Sequence, residues 1–212
     1  MLHKETVSPE LLEILQRLFS FPEMKEFVLV GGTALSLKIG HRRSIDIDLF
    51  TSGLFPGDII PEFLKKNNFA FRQQNIFKGG IFGFINQIKT DFIRHAYLWI
   101  HPPEMVESIR FASLPDLAAM KLNAITGSGK RLKDFADVAY LSTYMTLAEM
   151  LDSYEEKYPD INGMMAAKSL SYFDDIDFSI KIDFVDKTMN WNKIKNRISE
   201  MINNPQKRFE SF

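Results

Sequence analysis

The sequence predicts an α+β protein, a small mixed sheet flanked by helices and followed by a mostly helical C-terminal half. Three observations carry that prediction. Period-two apolar segments are confined to the residues before about position 94. After Pro115 the apolar spacing becomes helical. Between the two regions stands Pro102-Pro103, which neither a helix nor a central strand tolerates. The expected division is an α/β core over residues 1–112 and a helical region over 113–212 packed on that core.

The elements follow in order. Pro9 to Phe19 has apolar residues at Leu11, Leu12, Ile14, Leu15, Leu18 and Phe19 behind a capping Ser8, an amphipathic helix. Phe27 to Val30 is a short apolar run ending at Gly31-Gly32, as a buried strand leaving into a tight turn would be. Thr33 to Ile39 reads as a short helix closed by Gly40. Ile45, Ile47 and Leu49 alternate with Ser44, Asp46 and Asp48, which predicts a strand. Pro56 to Asn67 is expected to be helical, and Ala70–Phe77, Ile81–Ile85 and Ile88–Ile93 are candidate strands with a hairpin turn at Lys78-Gly79-Gly80. Helices are then expected over Leu114–Ile125, Lys133–Tyr144, Leu147–Lys157, Gly163–Ser171 and about Asn190–Ile202.

Composition limits the function classes. Of 212 residues 45% are hydrophobic, enough for a sizeable core. With 26 basic and 27 acidic residues the net charge is −1, so the chain lacks the strongly basic balance of a general nucleic-acid binder. It contains no cysteine, which excludes disulfides and thiolate metal sites and fits a reducing cytoplasm. No segment approaches the roughly 18 apolar residues of a membrane span. The N-terminus lacks the apolar run of a secretory signal, so the expectation is a soluble, cytoplasmic protein.

The chemistry concentrates between Gly31 and Asp91. Gly31-Gly32 lies between a strand and a helix, where glycine lets the backbone approach a triphosphate and the N–H groups at the helix start face the anion. Thr33 can offer a hydroxyl to a phosphate oxygen. Asp46 and Asp48 are two apart on one strand, so both carboxylates leave the same face with Cα atoms about 6.5–7 Å apart. Paired carboxylates are hard oxygen ligands for Mg²⁺ (or Mn²⁺), which leave the ion's remaining positions to water and substrate phosphate. Asp91, in Ile88-Lys-Thr-Asp-Phe-Ile93, is the candidate third ligand or general base of a two-ion site, in which the metals stand about 3.5–4 Å apart. An Asp-x-Asp on a strand can equally be a solvated face. Its place just after a strand–Gly-Gly–helix unit, with Ser44 beside it, favours an NTP site.

With these residues in view, Gly31-Gly-Thr-Ala-Leu-Ser-Leu-Lys-Ile-Gly-His-Arg-Arg-Ser-Ile-Asp-Ile-Asp-Leu-Phe50 closely resembles the first motif of the AbiEii/AbiGii toxin family of nucleotidyltransferases. The resemblance implies a polymerase-β-like nucleotidyltransferase fold and Mg²⁺-dependent transfer of a nucleotide from an NTP. It further implies tRNA as a candidate acceptor and a cognate antitoxin as partner, as in abortive-infection type IV toxin–antitoxin pairs. Pro115-Asp-Leu-Ala-Ala-Met-Lys-Leu-Asn-Ala-Ile125 with Lys133-Asp-Phe-Ala-Asp137 looks like the family's second block. By that likeness Lys121 is expected to contact phosphate and Asp134 to serve the active site or hold it together. His41 and Arg42 are raised toward site-supporting, nucleotide-binding roles with Ser44. Ser169-Leu-Ser-Tyr-Phe-Asp-Asp175 resembles a C-terminal element of the same family.

One departure stands out: Ser128 occupies the position, seven residues after Lys121, where the family usually carries arginine. Lys130 or Arg131 could replace it through a loop made pliable by Gly127 and Gly129. Ser128 keeps open two other readings, a weak or inactive nucleotide- or partner-binding regulator and a transferase acting on a small molecule. His95 and His101 read as ordinary polar residues, and Phe82, Phe84, Phe92, Tyr97 and Trp99 as core. Asp174-Asp-Ile-Asp177 reads as a solvated loop.

Overall fold

The computed structural model describes residues 1–55 and 58–212. Among them the chain forms two compact units, Met1–Gly40 with Ser44–Ala112, and His41–Arg43 with Ser113–Phe212.

The first unit is built on a seven-stranded mixed sheet. Its strands are β1 (Val28–Val30), β2 (Ile47–Thr51), β3 (Phe71–Phe77), β4 (Gly80–Ile85), β5 (Ile88–Arg94), β6 (Glu104–Val106) and β7 (Ile109–Phe111). They lie in the order β3-β4-β5-β2-β1-β7-β6. The β2–β5 and β1–β7 pairs are parallel and the remaining pairs antiparallel. The sheet is wider than the sequence predicts, because the β6–β7 hairpin follows directly on Pro102-Pro103. Its turn residues, Glu107 and Ser108, both have positive φ (48° and 67°). So do Asn86 and Gln87 (48° and 71°) between β4 and β5. Such two-residue turns match the right-handed twist of antiparallel strands, although side chains other than Gly and Asn adopt them at some cost.

Helices α1 (Pro9–Phe19), α2 (Gly31–Ile39) and α3 (Ile59–Lys66) complete this unit. Ser8 accepts from the Leu11 amide at 3.1 Å and Pro9 opens α1, as the sequence predicts. Leu11, Ile14, Leu15, Leu18 and Phe19 form its buried stripe. Gly40 ends α2 in the left-handed region at φ 71°. The start predicted for the third helix, at Pro56, lies outside the described residues. Leu29, Leu49 and Phe92, on three neighbouring strands, are fully buried on one face of the sheet. One expectation fails locally: β2 begins at Ile47, and Ile45 is 69% exposed. The residues before Ile47 are held by the Thr33 side chain and by a Ser44 N–H bond to the Thr6 carbonyl at 2.8 Å, so the alternation starts one step later.

The second unit contains α4 (Leu114–Ser128), α5 (Leu132–Leu141), α6 (Leu147–Lys157), α7 (Gly163–Leu170) and α8 (Trp191–Asn203). Helix α4 packs against α5, α6 and α7, and α5 against α8. Ser113, Thr146, Asn162 and Asn190 cap four of the five through side-chain oxygens, and Thr146 with Glu149 forms a capping box. Asp116 and Lys157 are completely buried and paired at 2.7 Å. Among the described residues no helix is long and apolar enough to cross a membrane.

Candidate active site

The pairing of β2 with β5 decides the geometry of the acidic residues. Asp48 is the register partner of Asp91 across the parallel β2–β5 ladder, and of Val30 across β1. Register partners project from the same face, on strands about 4.8 Å apart. Thus two carboxylates 43 positions apart in the chain become neighbours on one sheet face. Asp46, one residue before β2 begins, shares the parity of Asp48 and is half-buried.

Gly31 meets this pair from the end of β1. Its φ is 69°, a left-handed conformation that disfavours any side chain. A methyl group there would clash with Asp48 Oδ2 and stand 3.1 Å from Asp48 Cγ. Glycine is therefore required twice, by its backbone conformation and by the carboxylate seated over it. The turn into α2 thus seats the Gly31 main chain directly against the Asp48 carboxylate, a cradle only glycine allows.

Asp91 is only 4% exposed, and its two oxygens differ. Oδ2 accepts from the Lys89 ammonium at 2.6 Å, whereas Oδ1 is buried without a hydrogen-bond partner. A buried carboxylate oxygen left unsatisfied costs about 1–3 kcal/mol or more, so such an atom marks a place where a ligand is expected. Lys89 sits two residues before Asp91 on the same face of β5. Burial opposes its charge, but the bond to Asp91 and the charges of Asp91, Asp48 and Asp46 together raise its pKa above the usual lysine value. Lys89 was not among the sequence candidates, although the strand alternation that selects Asp91 also selects it. Among the described residues no three acidic or histidine side chains converge as a ready-made metal cage. Mg²⁺ does not need one, since it commonly takes one or two carboxylates and completes its shell with water and substrate phosphates. Hard carboxylate donors, an orphaned Asp91 Oδ1 and a cradle beside Asp48 fit such an ion.

The other candidates occupy supporting positions. Thr33, expected to reach phosphate, is buried. Its hydroxyl donates to the Asp46 carbonyl and shares a hydrogen bond with Ser44 Oγ at 2.9 Å. Thr33 and Ser44 thus fix the approach to β2 from beneath instead of facing a nucleotide. Gly32 is half-buried in the first turn of α2.

His41 and Arg42 are likewise buried, in the helical unit. Arg42 forks onto Asp137, with Nε to Oδ1 at 2.6 Å and Nη2 to Oδ2 at 3.0 Å. His41 Nε2 lies 2.7 Å from the same Oδ1. Lys121, on α4, is paired with Asp134 at 2.7 Å and with Asp137 at 2.6 Å, both on α5. Lys121, expected to contact phosphate, is buried here with its ammonium bonded to two carboxylates. His41 and Arg42, expected in site-supporting, nucleotide-binding roles, both bond to Asp137. Burial alone would push the Asp137 carboxyl up, but Arg42, Lys121 and His41 outweigh it and hold it well below the usual range. For Lys121 too the charges of Asp137 and Asp134 overcome burial and raise its pKa. Burial is the dominant influence on His41 and lowers its pKa, so the imidazole is neutral. The assigned tautomer has Nε2–H donating to Asp137, leaving Nδ1 as a buried acceptor without a partner. Asp134 and Asp137 are thus met by the buried cations Lys121 and Arg42, with Arg131 at the exposed edge of Asp134, a closed network of ion pairs. Asp137, its centre, is the last residue of the segment that resembles the family's second block.

Ser128 is exposed at the last residue of α4, with Gly129 capping at φ 61°. The helix runs straight through Gly127, so no shifted loop brings a substitute arginine to that position. Arg131 instead lies along Asp134 at 3.5 Å, with a side chain mostly in solvent.

Residues 13–88 match the family described as nucleotidyl transferase AbiEii toxin, type IV toxin–antitoxin system. An uncharacterised protein of Aquifex aeolicus is 32% identical over 170 residues, covering 77% of this chain and 81% of its own length. The chain belongs to the AbiEii nucleotidyltransferase family. The fold agrees. A candidate nucleotidyltransferase from Helicobacter pylori superposes with a TM-score of 0.58 at 16% identity, over 92% of this chain and 94% of its own. A second Helicobacter pylori protein, JHP933, superposes with a TM-score of 0.55 at 14% identity, over 93% and 92%. This AbiEii-family protein is thus a nucleotidyltransferase in lineage and architecture.

Proposed function

We propose that this AbiEii-family protein is a Mg²⁺-dependent transferase that moves a nucleotidyl group from an NTP to an acceptor hydroxyl, with the 3′ end of tRNA the leading acceptor. The observation that carries the reading is the Asp48–Asp91 register pair standing over Gly31, with Asp91 Oδ1 unsatisfied. In this reading Gly31 and Gly32 take the triphosphate against main-chain N–H groups at the start of α2, where the helix dipole favours an anion. Asp46, Asp48 and Asp91 are the residues that would hold Mg²⁺ or Mn²⁺, whose charge would neutralise the phosphates. The acceptor oxygen bonds to the α-phosphorus as the bond from that phosphorus to pyrophosphate breaks. The proton released by the hydroxyl passes to Asp91 Oδ1. Thr33 and Ser44 keep Asp46 in place, and Asp137 with Arg42, His41, Lys121 and Asp134 holds the helical unit together. A cytoplasmic location and a cognate antitoxin belong to the same reading, by the family's description.

The test is incubation of the protein with each labelled NTP, Mg²⁺ and total tRNA. Label is expected on RNA, and Asp48→Asn is expected to lower the rate by roughly 10³-fold, the scale of the several kcal/mol that metal-assisted charge stabilisation supplies. Transfer by Asp48→Asn at the wild-type rate would overturn the assignment. Ser128 favours a second reading, a regulator that binds NTP without transferring it. NTP binding with no label on RNA or on small-molecule acceptors would support that reading.

A further inference from the structure

The two edges of the seven-stranded sheet differ. β6 is three residues long, and its Glu104 is tied to Lys38 at 2.8 Å. A short edge strand with its charge engaged is one of the ways proteins keep an edge from pairing with another chain. β3 has seven residues, Phe71–Phe77, and the last six are exposed. Ile76 and Phe77, both apolar, are 44% and 43% exposed. The strand pairs with β4 on one side, and among the described residues no strand lies on the other. Such an edge turns alternate N–H and C=O groups outward, a template for another extended chain. The ladder to β4 skips Gln74, so the template is two short stretches, Phe71–Gln73 and Asn75–Phe77.

The surroundings of this edge carry one sign of charge. From Phe63 to Thr90 the sequence holds Lys65, Lys66, Arg72, Lys78 and Lys89 and no acidic residue, in a chain whose net charge is −1. Lys65 and Lys66 stand in the last turn of α3, Arg72 on β3 and Lys78 in the turn that follows it, and all four are exposed. At the start of β3 a groove of about 560 Å³ opens between Pro61 and Lys65 of α3 and Ala70, Phe71 and Gln73.

These features select the occupant. A row of main-chain hydrogen-bonding groups is matched by another polypeptide in extended form, which a sugar–phosphate strand does not provide. A second copy of β3 would set the same cations against each other, which disfavours it. We propose that β3 is a docking edge for an extended, acidic segment of a partner protein, which adds to the sheet as a further strand. Main-chain bonds along β3 hold the segment, its carboxylates meet Arg72 and Lys78, and its apolar side chains cover Ile76 and Phe77 or enter the groove beside α3. The proposal does not depend on the nucleotidyl-transfer reading.

The experiment is calorimetric titration of the full chain, with hydrogen–deuterium exchange, against a short peptide of alternating glutamate and valine. Three controls accompany it: the matching lysine–valine peptide, the glutamate peptide N-methylated at alternate residues, and a short oligouridylate. The glutamate peptide is expected to bind and to slow exchange within Phe71–Phe77. The N-methylated peptide keeps the charge but loses main-chain donors, and it is expected to fail with the lysine peptide. Arg72→Glu with Lys78→Glu is expected to weaken the glutamate peptide by about 3- to 30-fold, the scale of two exposed ion pairs. Equal binding of the N-methylated peptide overturns strand addition, and unchanged affinity in the double variant overturns the charge match. Slowed exchange with oligouridylate instead of the peptide makes the edge a nucleic-acid surface. Slowed exchange on concentrating the protein alone makes it an interface between copies of this chain. Either result, or no binding of the glutamate peptide to the wild type, overturns the proposal.

Discussion

Two acidic clusters in this molecule use the same residue types to opposite ends. In the sheet unit Lys89 is drawn by Asp91, Asp48 and Asp46, and one carboxylate oxygen of Asp91 has no hydrogen-bond partner. In the helical unit Asp134 and Asp137 face Lys121 and Arg42, and Asp137 alone accepts from Arg42, His41 and Lys121. One cluster keeps an unsatisfied carboxylate oxygen at Asp91; the other satisfies both oxygens of Asp137. An unbalanced group of carboxylates is tolerated where a cation and a phosphate complete it, whereas a buried one must be completed by the protein itself. The unsatisfied oxygen of Asp91 is therefore what separates the proposed site from the closed cluster.

The largest effect that would break this comparison is expected at Asp137. Asp137→Asn leaves Arg42 and Lys121 buried with one carboxylate, Asp134, between them. Removing one partner of a buried charge network typically costs about 3–5 kcal/mol. For a protein of this size that lowers Tm by roughly 10 °C, read by thermal melting. Asp48→Asn, by contrast, is expected to lower Tm less than Asp137→Asn while abolishing transfer. A Tm for Asp137→Asn equal to the wild type's would show that the ion-pair network does not stabilise the fold. The pH dependence has a definite sign. Asp137 has a folded pKa well below 3.8, so the unfolded chain takes up its proton first as the solution is acidified. Its stabilisation is complete above that range and is lost as pH falls below about 4 toward the folded pKa. Asp137→Asn should flatten stability against pH in that window, measured by urea unfolding at successive pH values.

The sheet cluster was largely legible in the sequence and the helical one was not. Asp46 and Asp48 share a parity that any strand imposes, and a Gly-Gly pair between a strand and a helix is visible without coordinates. The pairing of Asp48 with Asp91 depends on β2 and β5 being parallel neighbours, which local pattern does not specify. The same limit hid the β6–β7 hairpin. Its strands are three residues long, its turn lacks the usual Asn-Gly, and β7 is fixed by parallel pairing with β1, some 80 residues away. Arg42 and Asp137 are 95 positions apart, so their bond could not be read from spacing. A hydroxyl beside a glycine turn suits either a phosphate or a backbone carbonyl, and spacing alone does not reveal the bond of Thr33 to the Asp46 carbonyl.

A mid-sized effect is expected at Gly31, where backbone and site coincide. Gly31→Ala forces a side chain into φ 69° and against Asp48 Oδ2. The conformation costs about 1–2 kcal/mol by itself. Relief of the clash must move Asp48 or the turn, so transfer should fall by one to two orders of magnitude, on the scale of misplacing a reacting group by about 1 Å. Steady-state rates alongside melting curves separate the two. Near-full activity with only the stability loss would mean that Asp48 shifts freely and that the cradle does not hold the triphosphate.

The smallest effect tests how the open cluster manages its own repulsion. Lys89 donates to Asp91 Oδ2 at 2.6 Å and is drawn by Asp48 and Asp46 as well, so it stands where a divalent cation's charge would otherwise act. Two cations compete for the same carboxylate, and removing one favours the other. Lys89 is partly in solvent, which screens it, so its pair with Asp91 is worth about 0.2–1 kcal/mol. Lys89→Met should therefore lower the Mg²⁺ concentration for half-maximal transfer by about two- to fivefold, with little change in the rate at saturating Mg²⁺. If the half-saturating concentration holds and the saturated rate drops instead, Lys89 acts on the substrate phosphates rather than on the acids. The open cluster would then be completed by a protein cation during turnover, and the contrast with the closed one would be a matter of degree.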